Sequence, residues 1–329
     1  MLLSIIIPIY KVEKYIRGTL YSIYSQEYDE REFEVICVND GTPDSSMDIV
    51  DEFVRQHDNL HVINQMNQGL SCARNAGLKI AKGNYVWFVD SDDTIAKGSL
   101  NQLQDYIKKD DNQIEIWAFN MTRVQESSKN ETVERVILKH RDSHLYGKCI
   151  NKDQLIHKVH IAPVQRFIFK RAFLDNYQLH FYPKILHEDK EFMVKAFFLA
   201  KKIMLIDYSP YRYMVRTSGS IMSDINMKSV CSKLMIIKSF ENYKTFNSHT
   251  TQEYIYFNDN AFMMVIDILE MKMQLPEYTQ VINKNVNSFR FVALRGCVAN
   301  IFYKDIKKIM KSLLVLISPK LYHIIATHN

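Results

Sequence analysis

Three carboxylates stand within four residues at Asp90-Ser91-Asp92-Asp93, directly after the apolar run Val86–Val89. Like charges at this density repel one another and are unfavourable unless a cation lies among them. Carboxylate oxygens suit a hard divalent ion such as Mg²⁺ or Mn²⁺, which usually completes its shell with phosphates and water. The segment therefore indicates a metal site at Asp90 and Asp92, and the alternative is an Asp- and Ser-rich helix cap or turn.

Two further segments carry groups that suit a nucleotide or an anion. Asp40 lies in Asn39-Asp40-Gly41-Thr42, where a carboxylate can accept hydrogen bonds from a base or a ribose, and a plain Asx turn is the alternative. In the run Asn67–Gly77, Gly69 lets the backbone approach a ligand, and the helix N-terminus that follows favours an anion. Arg74 adds a planar fork of donors, unless it is an ordinary arginine on a surface helix.

Pro8 and Tyr10 end the first apolar run of the chain. Pro8 fixes φ and removes a donor, so the strand stops and the chain can turn. The ring of Tyr10 offers a stacking face for a nucleobase, although packing is the commoner role of such a tyrosine.

The chain up to Val89 alternates between apolar runs and helical patterns, as a doubly wound α/β sheet requires. The apolar runs predict strands at Leu3–Ile9, Phe33–Val38, Leu60–Asn64 and Tyr85–Val89. Helices are expected over Glu13–Tyr24, from the Asn39–Ser46 turn to about His57, and over Gly69–Ala81. Three β–α repeats that feed a fourth strand favour a parallel sheet with right-handed crossovers. Ligands bind beyond the carboxyl ends of such strands, which is where the polar segments lie.

The remainder of the chain has a less regular pattern. Further strands are expected at Glu115–Val124, Arg166–Phe169, Lys202–Asp207 and Tyr211–Val215, and Glu126–Arg141 is polar enough for a loop or an exposed hairpin. Helices are expected at Glu188–Ala200, Met227–Phe246, Glu253–Met273 and Lys304–Ile317.

Composition excludes several classes of protein. The 329 residues are 47% apolar, which is too much for a disordered chain. The net charge of +5 is too small for a typical nucleic-acid binder, so no nucleic-acid partner is expected. Five scattered cysteines form neither a metal-ligand spacing nor a disulfide framework, which indicates a reducing cytoplasm. We expect neither a signal peptide nor a transmembrane helix.

Together the polar segments resemble the family 2 glycosyltransferases, which have the GT-A fold. The family pattern reads, in outline, P-x-Y/N after a strand, then D-G-S/T, then N-x-G-x-x-x-A-R-N-x-G, then F-x-D-x-D-D. This chain shows Pro8-Ile9-Tyr10, Asp40-Gly41-Thr42, Asn67–Gly77 and Phe88–Asp93 in that order and at the family's spacing. The resemblance is close over residues 3–100 and looser to about residue 222. One departure is Lys11, where family members often carry Asn.

The resemblance implies a GT-A domain over residues 1–222 and a helical region over residues 223–329. Residues 1–100 would bind the nucleotide sugar, and residues 101–222 would form the acceptor side with the catalytic base. Asp40 would face the base of the nucleotide, and Asp90 and Asp92 would be the D-x-D pair that touches the ribose and a diphosphate-bound Mn²⁺ or Mg²⁺. The residues expected to hold the nucleotide sugar are Pro8, Tyr10, Glu13, Asp40, Asn67, Gly69, Arg74, Asp90, Ser91, Arg216 and Ser220.

Leu186–Phe192 resembles the family's E-D segment, which assigns the catalytic base to Asp189 with Glu188 beside it. A charged helix start is the alternative, because acidic side chains are favoured in a first turn. The resemblance thus implies an inverting glycosyltransferase, in which Asp189 takes the proton of an acceptor hydroxyl. The donor would be a nucleotide-diphosphate sugar such as a UDP-sugar, and the acceptor a glycan or lipid-linked glycan in bacterial surface-polysaccharide assembly.

Tyr211–Ile221 resembles the family's Y-R-x-x-x-x-S-I closing stretch. Arg216 and Ser220 in this stretch would help to cover the diphosphate. Arg166 falls where many members of the family place a basic residue.

Three other functions are weaker interpretations. A sugar-nucleotide nucleotidyltransferase would need a Gly-rich loop after the first strand to hold a triphosphate, and Pro8–Glu13 contains no glycine. A dinucleotide dehydrogenase would need G-x-G-x-x-G at the first helix, which is absent. A non-catalytic binding protein of the GT-A fold is disfavoured by the joint presence of Asp40, Asp90, Asp92 and Asp189.

The segment Lys304–Ile317 places five apolar side chains on one face of a predicted helix and four lysines elsewhere; the apolar ones are Ile306, Ile309, Met310, Leu313 and Leu314. A basic amphipathic helix of this kind can lie on an anionic membrane, which would be a peripheral contact on the inner face. The alternative is a helix packed on the domain with solvated lysines.

Overall fold

The computed structural model describes residues 1–109, 113–126, 132–136, 145–150, 163–215, 227–248, 250–271, 276–302 and 304–328. Its strands are β1 (Leu3–Ile9), β2 (Phe33–Asn39), β3 (Leu60–Asn64), β4 (Tyr85–Phe88), β5 (Thr94–Ile95), β6 (Ile116–Glu126), β7 (Thr132–Val136), β8 (Cys149–Ile150), β9 (Phe167–Lys170) and β10 (Ile203–Val215). Its helices are α1 (Ile16–Tyr24), α2 (Ser46–Val54), α3 (Leu70–Ile80), α4 (Ser99–Lys108), α5 (Arg171–Asn176), α6 (Glu188–Leu199), α7 (Met227–Asn247), α8 (Thr251–Leu269), α9 (Pro276–Phe302), α10 (Ile306–Ile317) and α11 (Pro319–His328).

The ten strands of the described residues form one sheet in the order β3-β2-β1-β4-β9-β6-β10-β5, with β7 beside β6 and β8 beside β10. The strands β1 to β4 pair in parallel, and so do β6 and β10. Between these two groups β9 runs antiparallel to both β4 and β6. The predicted α/β class, a mostly parallel sheet flanked by helices and followed by a helical C-terminal region, is confirmed.

β1 lies at the centre of the parallel group, and each of its residues is buried. Helices on both faces of a parallel sheet bury its strands completely, which explains why every residue of β1 except Ser4 is apolar. α3 lies close to this strand, because a Cβ added at Gly77 would come within 2.4 Å of Ile6 Cγ2. The close approach of α3 holds its N-terminus at the carboxyl edge of β1 and β2.

The predicted elements of the first half agree with the structure to within a few residues. One expectation was wrong: Lys202–Asp207 and Tyr211–Val215 are not two strands but parts of the single strand β10. The register between β10 and β6 shifts between Ile206 and Tyr211, where Pro210 cannot donate a backbone hydrogen bond. Of the two alternatives for Glu126–Arg141, the antiparallel pairing of β6 with β7 favours the hairpin.

The chain divides into two compact units. One contains Met1–Lys184 and Lys195–Ser218, and the other contains Ile185–Val194 and Gly219–Asn329. The predicted domain boundary at residue 222 lies outside the described residues and stays a prediction.

The second unit is built from helices that pack around the start of α6. The hydroxyl of Tyr256 on α8 donates to the carbonyl of Val194, and Ser239 Oγ on α7 donates to Glu191 Oε1. α8 begins with a capping box in which Thr250 and Glu253 exchange side-chain and backbone hydrogen bonds. Within the described residues, every helix is too short or too polar to cross a membrane.

Candidate active site

The loop after β1 is fastened to the loop after β2 by three hydrogen bonds. The backbone N–H groups of Lys11, Val12 and Glu13 donate to Thr42 Oγ1, Ser46 Oγ and Asp44 Oδ2, at 2.8, 3.1 and 3.1 Å. Because Lys11 has a φ of +55°, successive N–H groups of this tight turn can reach the same neighbouring loop. The turn leaves the ring of Tyr10 41% exposed at the carboxyl edge of the sheet.

Asp44 accepts hydrogen bonds both from the loop after β1 and from its own loop after β2. Burial acts to raise the pKa of Asp44, but hydrogen bonds from the Ser46 and Thr42 hydroxyls and from backbone N–H groups lower it to about 2. The carboxylate is therefore ionised at neutral pH and holds both loops. A further hydrogen bond runs in the opposite direction: Ser45 N, in the loop after β2, donates to Glu13 Oε2 at 3.2 Å.

Pro8 is the second-last residue of β1, so it lies inside the strand and before the turn. It lies opposite Val38 of β2, whereas the pairing of β1 with β4 reaches only Ile6. Proline has no N–H to donate, so it fits a position where one neighbouring strand has already ended.

Asp40 is buried at the end of β2, and both of its oxygens accept hydrogen bonds from the next loop. Oδ1 accepts from Gln65 Nε2 at 2.7 Å and from Gln68 N at 2.8 Å, and Oδ2 accepts from Gly69 N at 2.8 Å. Gly69 has a φ of +88°, which a residue with a side chain rarely adopts, and it begins α3. Asp40 therefore positions the exposed segment that contains Asn67.

Arg74 projects from α3 toward the end of β4 and is almost completely buried. Its Nη2 donates to Asp90 Oδ1 at 2.7 Å, and its guanidinium lies 5.3 Å from the centre of the Phe181 ring. Asp90 Oδ2 accepts from Gln165 Nε2 at 2.5 Å. The Asp90 carboxylate is thus held from two sides, by one charged and one neutral donor.

Asp93 is the buried member of the acidic cluster. Its Oδ2 accepts from the Tyr211 hydroxyl at 2.5 Å and its Oδ1 accepts from Met214 N at 2.8 Å. Burial, and then the charges of Asp92 and Asp90, raise the pKa of Asp93 well above its ordinary value, against the effect of these two hydrogen bonds. The Tyr211 hydroxyl also accepts from Asp90 N at 3.1 Å, so one phenol joins both ends of the cluster to β10.

The carboxylates of Asp90, Asp92 and Asp93 offer oxygen atoms that all lie within 4.8 Å of one another. Three carboxylates at this separation repel one another, and a divalent cation among their oxygens would relieve that repulsion, so the donor set fits Mg²⁺ or Mn²⁺. Asp90 and Asp92 are partly exposed, whereas Ser91 is buried and its carbonyl accepts from Thr19 Oγ1. The two exposed carboxylates are therefore the ones that a cation from solution can reach.

In the second unit, Glu188 and Asp189 form the first turn of α6. Glu188 is buried, and Asp189 is partly exposed with its Oδ1 accepting from Lys190 N at 2.8 Å. Lys190 Nζ in turn lies 2.6 Å from Asp267 Oδ2 on α8. Acidic side chains in this position are favoured by the helix dipole, and the contact with α8 fixes where the helix begins.

His187 precedes this turn with a left-handed φ of +61°. Its Nε2 lies 2.8 Å from Ser229 Oγ on α7. Burial, and then the positive charges of Lys233 and Lys190, lower the pKa of His187 to about 4. The imidazole is therefore neutral at physiological pH.

Several predicted residues are brought together at the carboxyl edge of the first unit, but not all predictions can be compared with the structure. Arg216 and Ser220 lie outside the described residues. Arg166 is buried, and its Nε donates to the carbonyl of Phe119 at 3.0 Å. Burial lowers the pKa of Arg166 to about 10 against the effect of Tyr146, and the side chain remains charged at neutral pH.

Sequence reasoning missed Gln165, and it named Tyr211 only as part of a motif. Gln165 lies one residue before the predicted strand Arg166–Phe169. β9 runs antiparallel to β4, so the beginning of β9 lies at the end of β4, next to Asp90. The pairing of β4 with β9, which brings Gln165 to Asp90, could not be predicted from the sequence alone.

Comparison with known proteins agrees with this arrangement. The family model "Glycosyl transferase family 2" matches residues 4–177. The uncharacterized glycosyltransferase EpsJ of Bacillus subtilis (strain 168) is 32% identical over 216 residues, which are 64% of this chain and 60% of that protein. The poly(ribitol-phosphate) beta-glucosyltransferase of Bacillus spizizenii is 31% identical over 229 residues, or 68% of this chain and 34% of that protein.

A solved structure has the same fold over nearly the whole chain. The crystal structure of S. aureus TarS 1-349 in complex with UDP-GlcNAc superposes with a TM-score of 0.69 and 23% identity, over 98% of this chain and 92% of that one. The likeness confirms the predicted GT-A fold. Because the family match covers more than half of the residues and the acidic cluster lies within it, this chain belongs to glycosyl transferase family 2.

Proposed function

We propose that the chain is an inverting glycosyltransferase that moves a sugar from a UDP-sugar to a hydroxyl of a glycan or lipid-linked glycan in polysaccharide biosynthesis. The observation that carries the proposal is the acidic cluster Asp90–Asp93 at the end of β4, held by Arg74 and Gln165. Carboxylates oriented in this way beside a helix N-terminus suit a cation-bound diphosphate. Relatives of similar sequence include glycosyltransferases of poly(ribitol-phosphate), which supports a polymer as the acceptor.

Residues after β1 and β2 are proposed to bind different parts of the donor. The ring of Tyr10 is available for stacking on the base, and Asp40 orders the loop that carries Asn67 and Gly69. The carboxylate of Asp40 has a further lone pair for a group of the nucleotide, as the resemblance implies. UDP is the preferred donor nucleotide in this proposal, since the structure of TarS was solved with UDP-GlcNAc.

Asp90 and Asp92 would hold a Mn²⁺ or Mg²⁺ ion. When bound, such an ion supplies positive charge that stabilises a departing diphosphate. Arg74 keeps Asp90 in place, and Tyr211 keeps Asp93 in place, so the cluster is oriented before the donor arrives. Arg216 and Ser220 are proposed to cover the diphosphate and exclude water.

Asp189 is proposed as the base and Glu188 as a residue that orients the acceptor. The acceptor oxygen forms a bond to the anomeric carbon, while the bond from that carbon to the diphosphate oxygen breaks. The proton of the acceptor hydroxyl passes to Asp189, and the electron pair leaves with the nucleoside diphosphate. Attack from the side opposite the leaving group inverts the anomeric centre.

The loop after β1 disfavours the nucleotidyltransferase alternative. The N–H groups of Lys11, Val12 and Glu13 already donate to side chains of the β2–α2 loop, so they cannot cradle a triphosphate. No glycine lies between β1 and α1. Both features differ from the phosphate-binding loop that such an enzyme needs.

A panel of UDP-sugars, with release of UDP measured by chromatography, tests the proposal. The full chain is mixed with each donor and a mixture of glycan and lipid-linked acceptors, in Mn²⁺, in Mg²⁺ and in EDTA. Metal-dependent UDP release that also needs an acceptor is the expected result. Binding of UDP-sugars without turnover of any of them would support the non-catalytic alternative, and release of UTP from a sugar-nucleotide and pyrophosphate would support the nucleotidyltransferase.

A further inference from the structure

Exposed large apolar side chains are concentrated in the last helices of the chain. Among the side chains that the structure describes, twelve of them are spread between Met1 and Tyr254, whereas eleven lie between Phe291 and Ile325. Single exposed apolar side chains are common on any protein, but a concentration of them marks a surface that meets something other than water. We call the exposed apolar side chains between Phe291 and Ile325 the C-terminal apolar surface.

Helix α10 directs Lys308 and Lys311 toward acidic side chains of the second unit and exposes four apolar side chains to solvent. Lys308 Nζ lies 2.9 Å from Asp259 Oδ2, and Lys311 Nζ lies 2.6 Å from Glu270 Oε1. The exposed side carries, at a spacing of four, three and four residues, Ile306, Met310, Leu313 and Ile317. An amphipathic helix that only completes a core buries its apolar stripe. Here Ser312 and Val315 pack inward, while four apolar side chains of the same helix remain exposed to solvent.

The exposed side of α9 changes from polar to apolar along the helix. Its first part exposes Gln280, Asn283, Lys284 and Asn287. Its last part exposes Phe291, Leu294, Val298 and Ile301. Arg290 lies between the polar and the apolar part of α9, and its Nη2 donates to the carbonyl of Ile317 at 2.6 Å. The end of α10 therefore lies beside the point where the apolar part of α9 begins. Only the part of α9 that runs alongside α10 is apolar on its outer side.

Positive charge accompanies these stripes. From Arg290 to Lys320 the sequence contains seven Lys and Arg residues and a single acidic residue, Asp305. Asp305 is engaged in capping α10, since its carboxylate accepts from Lys308 N. Lys304, Lys307 and Lys320 are exposed. A second copy of the chain would bring like charges together at a shared face, whereas an anionic lipid surface matches both the charge and the apolar stripes.

We propose that the C-terminal apolar surface docks on a bilayer leaflet with anionic headgroups. The apolar stripes would enter the boundary between headgroups and acyl chains, with the exposed lysines at the level of the phosphates. The 12 residues of α10 span about 18 Å, which is short of the roughly 30 Å of a hydrocarbon core, so the helix would lie in the plane of the interface. The inference does not rest on the proposed function, because lipid binding needs neither donor nor acceptor.

Flotation of the full chain with vesicles tests this proposal. One set contains phosphatidylglycerol and phosphatidylcholine in equal parts, and the other contains phosphatidylcholine alone. The wild type is expected to float with the anionic vesicles at low salt and to be released as the salt concentration rises. Replacement of two exposed side chains of α10, Met310→Glu with Leu313→Glu, is expected to weaken binding by at least about tenfold.

A matched control replaces two exposed apolar side chains of α7, Met235→Glu with Phe246→Glu, and should float like the wild type. Thermal melting by circular dichroism shows whether each variant is folded. If the α10 variant does not fold, Lys304→Glu with Lys307→Glu takes its place, with the same expected loss of flotation.

Three outcomes would overturn the proposal. The first is a wild type that stays unbound with anionic vesicles at low salt. The second is a folded α10 variant, or a folded lysine variant, that floats as well as the wild type. The third is a wild type that forms a dimer in light scattering and does not float, while the α10 variant is a monomer, because the surface would then meet a second copy.

Discussion

Arg74 and Asp90 form an ion pair of 2.7 Å in which the arginine side chain is 1% exposed and the aspartate side chain 26%. The second oxygen of Asp90 is held by Gln165, which lies far away in the sequence, two residues before β9. One carboxylate thus joins α3, the end of β4 and the segment that leads into β9. Its orientation is set by the fold and does not depend on a bound ligand.

Gln165→Leu removes the neutral partner of Asp90 and keeps most of the side-chain volume. We expect a loss of about 10–100-fold in the affinity for Mn²⁺, because partners of a metal-binding carboxylate set its orientation. Calorimetric titration of Mn²⁺ in the presence of UDP measures the change. The control is Gln26→Leu, since Gln26 is also buried and donates only to the carbonyls of Ser22 and Ala96. Equal Mn²⁺ affinity in both variants would contradict a role for Gln165.

Asp92→Asn removes one of the charges that raise the pKa of Asp93. We expect the pKa of Asp93 to fall toward its ordinary value and the metal-free protein to be as stable as the wild type or more so, because repulsion within the cluster is relieved. Sugar transfer should be lost, and in the wild type EDTA should abolish it while Mn²⁺ or Mg²⁺ restores it. Thermal melting and a transfer assay are run side by side, and full activity in EDTA would refute the metal site.

Tyr211→Phe removes the hydroxyl that donates to Asp93 and accepts from Asp90 N. The free energy of unfolding should fall by about 1–3 kcal/mol, because a buried acceptor loses its donor. Urea denaturation gives the value. Tyr208→Phe is the control, since the Tyr208 hydroxyl makes only a long contact of 3.3 Å with Ser99 Oγ. Equal stability of the two variants would show that the Tyr211 hydroxyl does not stabilise the cluster.

Asp189→Asn keeps the shape of the side chain but cannot take the acceptor proton. The rate constant of transfer should fall by about 10²–10⁴, whereas UDP-sugar affinity should be unchanged because Asp189 is not among the residues proposed to hold the donor. Single-turnover kinetics and calorimetry measure the two quantities. If Asp189→Asn is as fast as the wild type and Glu188→Gln is inactive, the base is Glu188, and if neither matters the base lies elsewhere.

His187 makes the stability of the second unit depend on pH. Its pKa is about 4 in the folded protein against an ordinary value of 6.5, so the unfolded chain binds more protons between these two values. The resulting stability is complete above pH 6.5 and is lost as the pH falls to about 4. His187→Asn should flatten this part of the curve of Tm against pH, and asparagine tolerates the left-handed backbone of this position. Parallel curves for the two proteins would exclude His187 as the cause.

The first four strands could be predicted because each is a largely apolar run followed by polar residues. In Leu3–Ile9 the run itself reports burial on both faces, and the turn residues of Asn39–Thr42 mark where β2 ends. The predicted residues Asp40, Gly69, Arg74 and Asp90 come together at one edge because parallel strands end on the same side of a sheet.

The rest depended on contacts between distant parts of the chain. Gln165 has no motif of its own, and only the antiparallel entry of β9 beside β4 brings it to Asp90. The amphipathic pattern of α10 was visible, but the pattern does not say which side faces the protein. The orientation of α10 is set by the ion pairs of Lys308 with Asp259 and of Lys311 with Glu270.

The second unit takes the ten residues Ile185–Val194 from the middle of the chain, between two parts of the first unit. These residues contribute Glu191 to Ser239 and Lys190 to Asp267, so they belong to the second unit by their contacts as well as by proximity. A fragment that stops at residue 218 would keep the ten residues and lose Ser239 and Asp267, which they bind. A single crossover between residues 194 and 219 would likewise separate the two parts of this unit. An exchange between relatives that keeps both units whole needs three crossovers, around residues 184, 194 and 218.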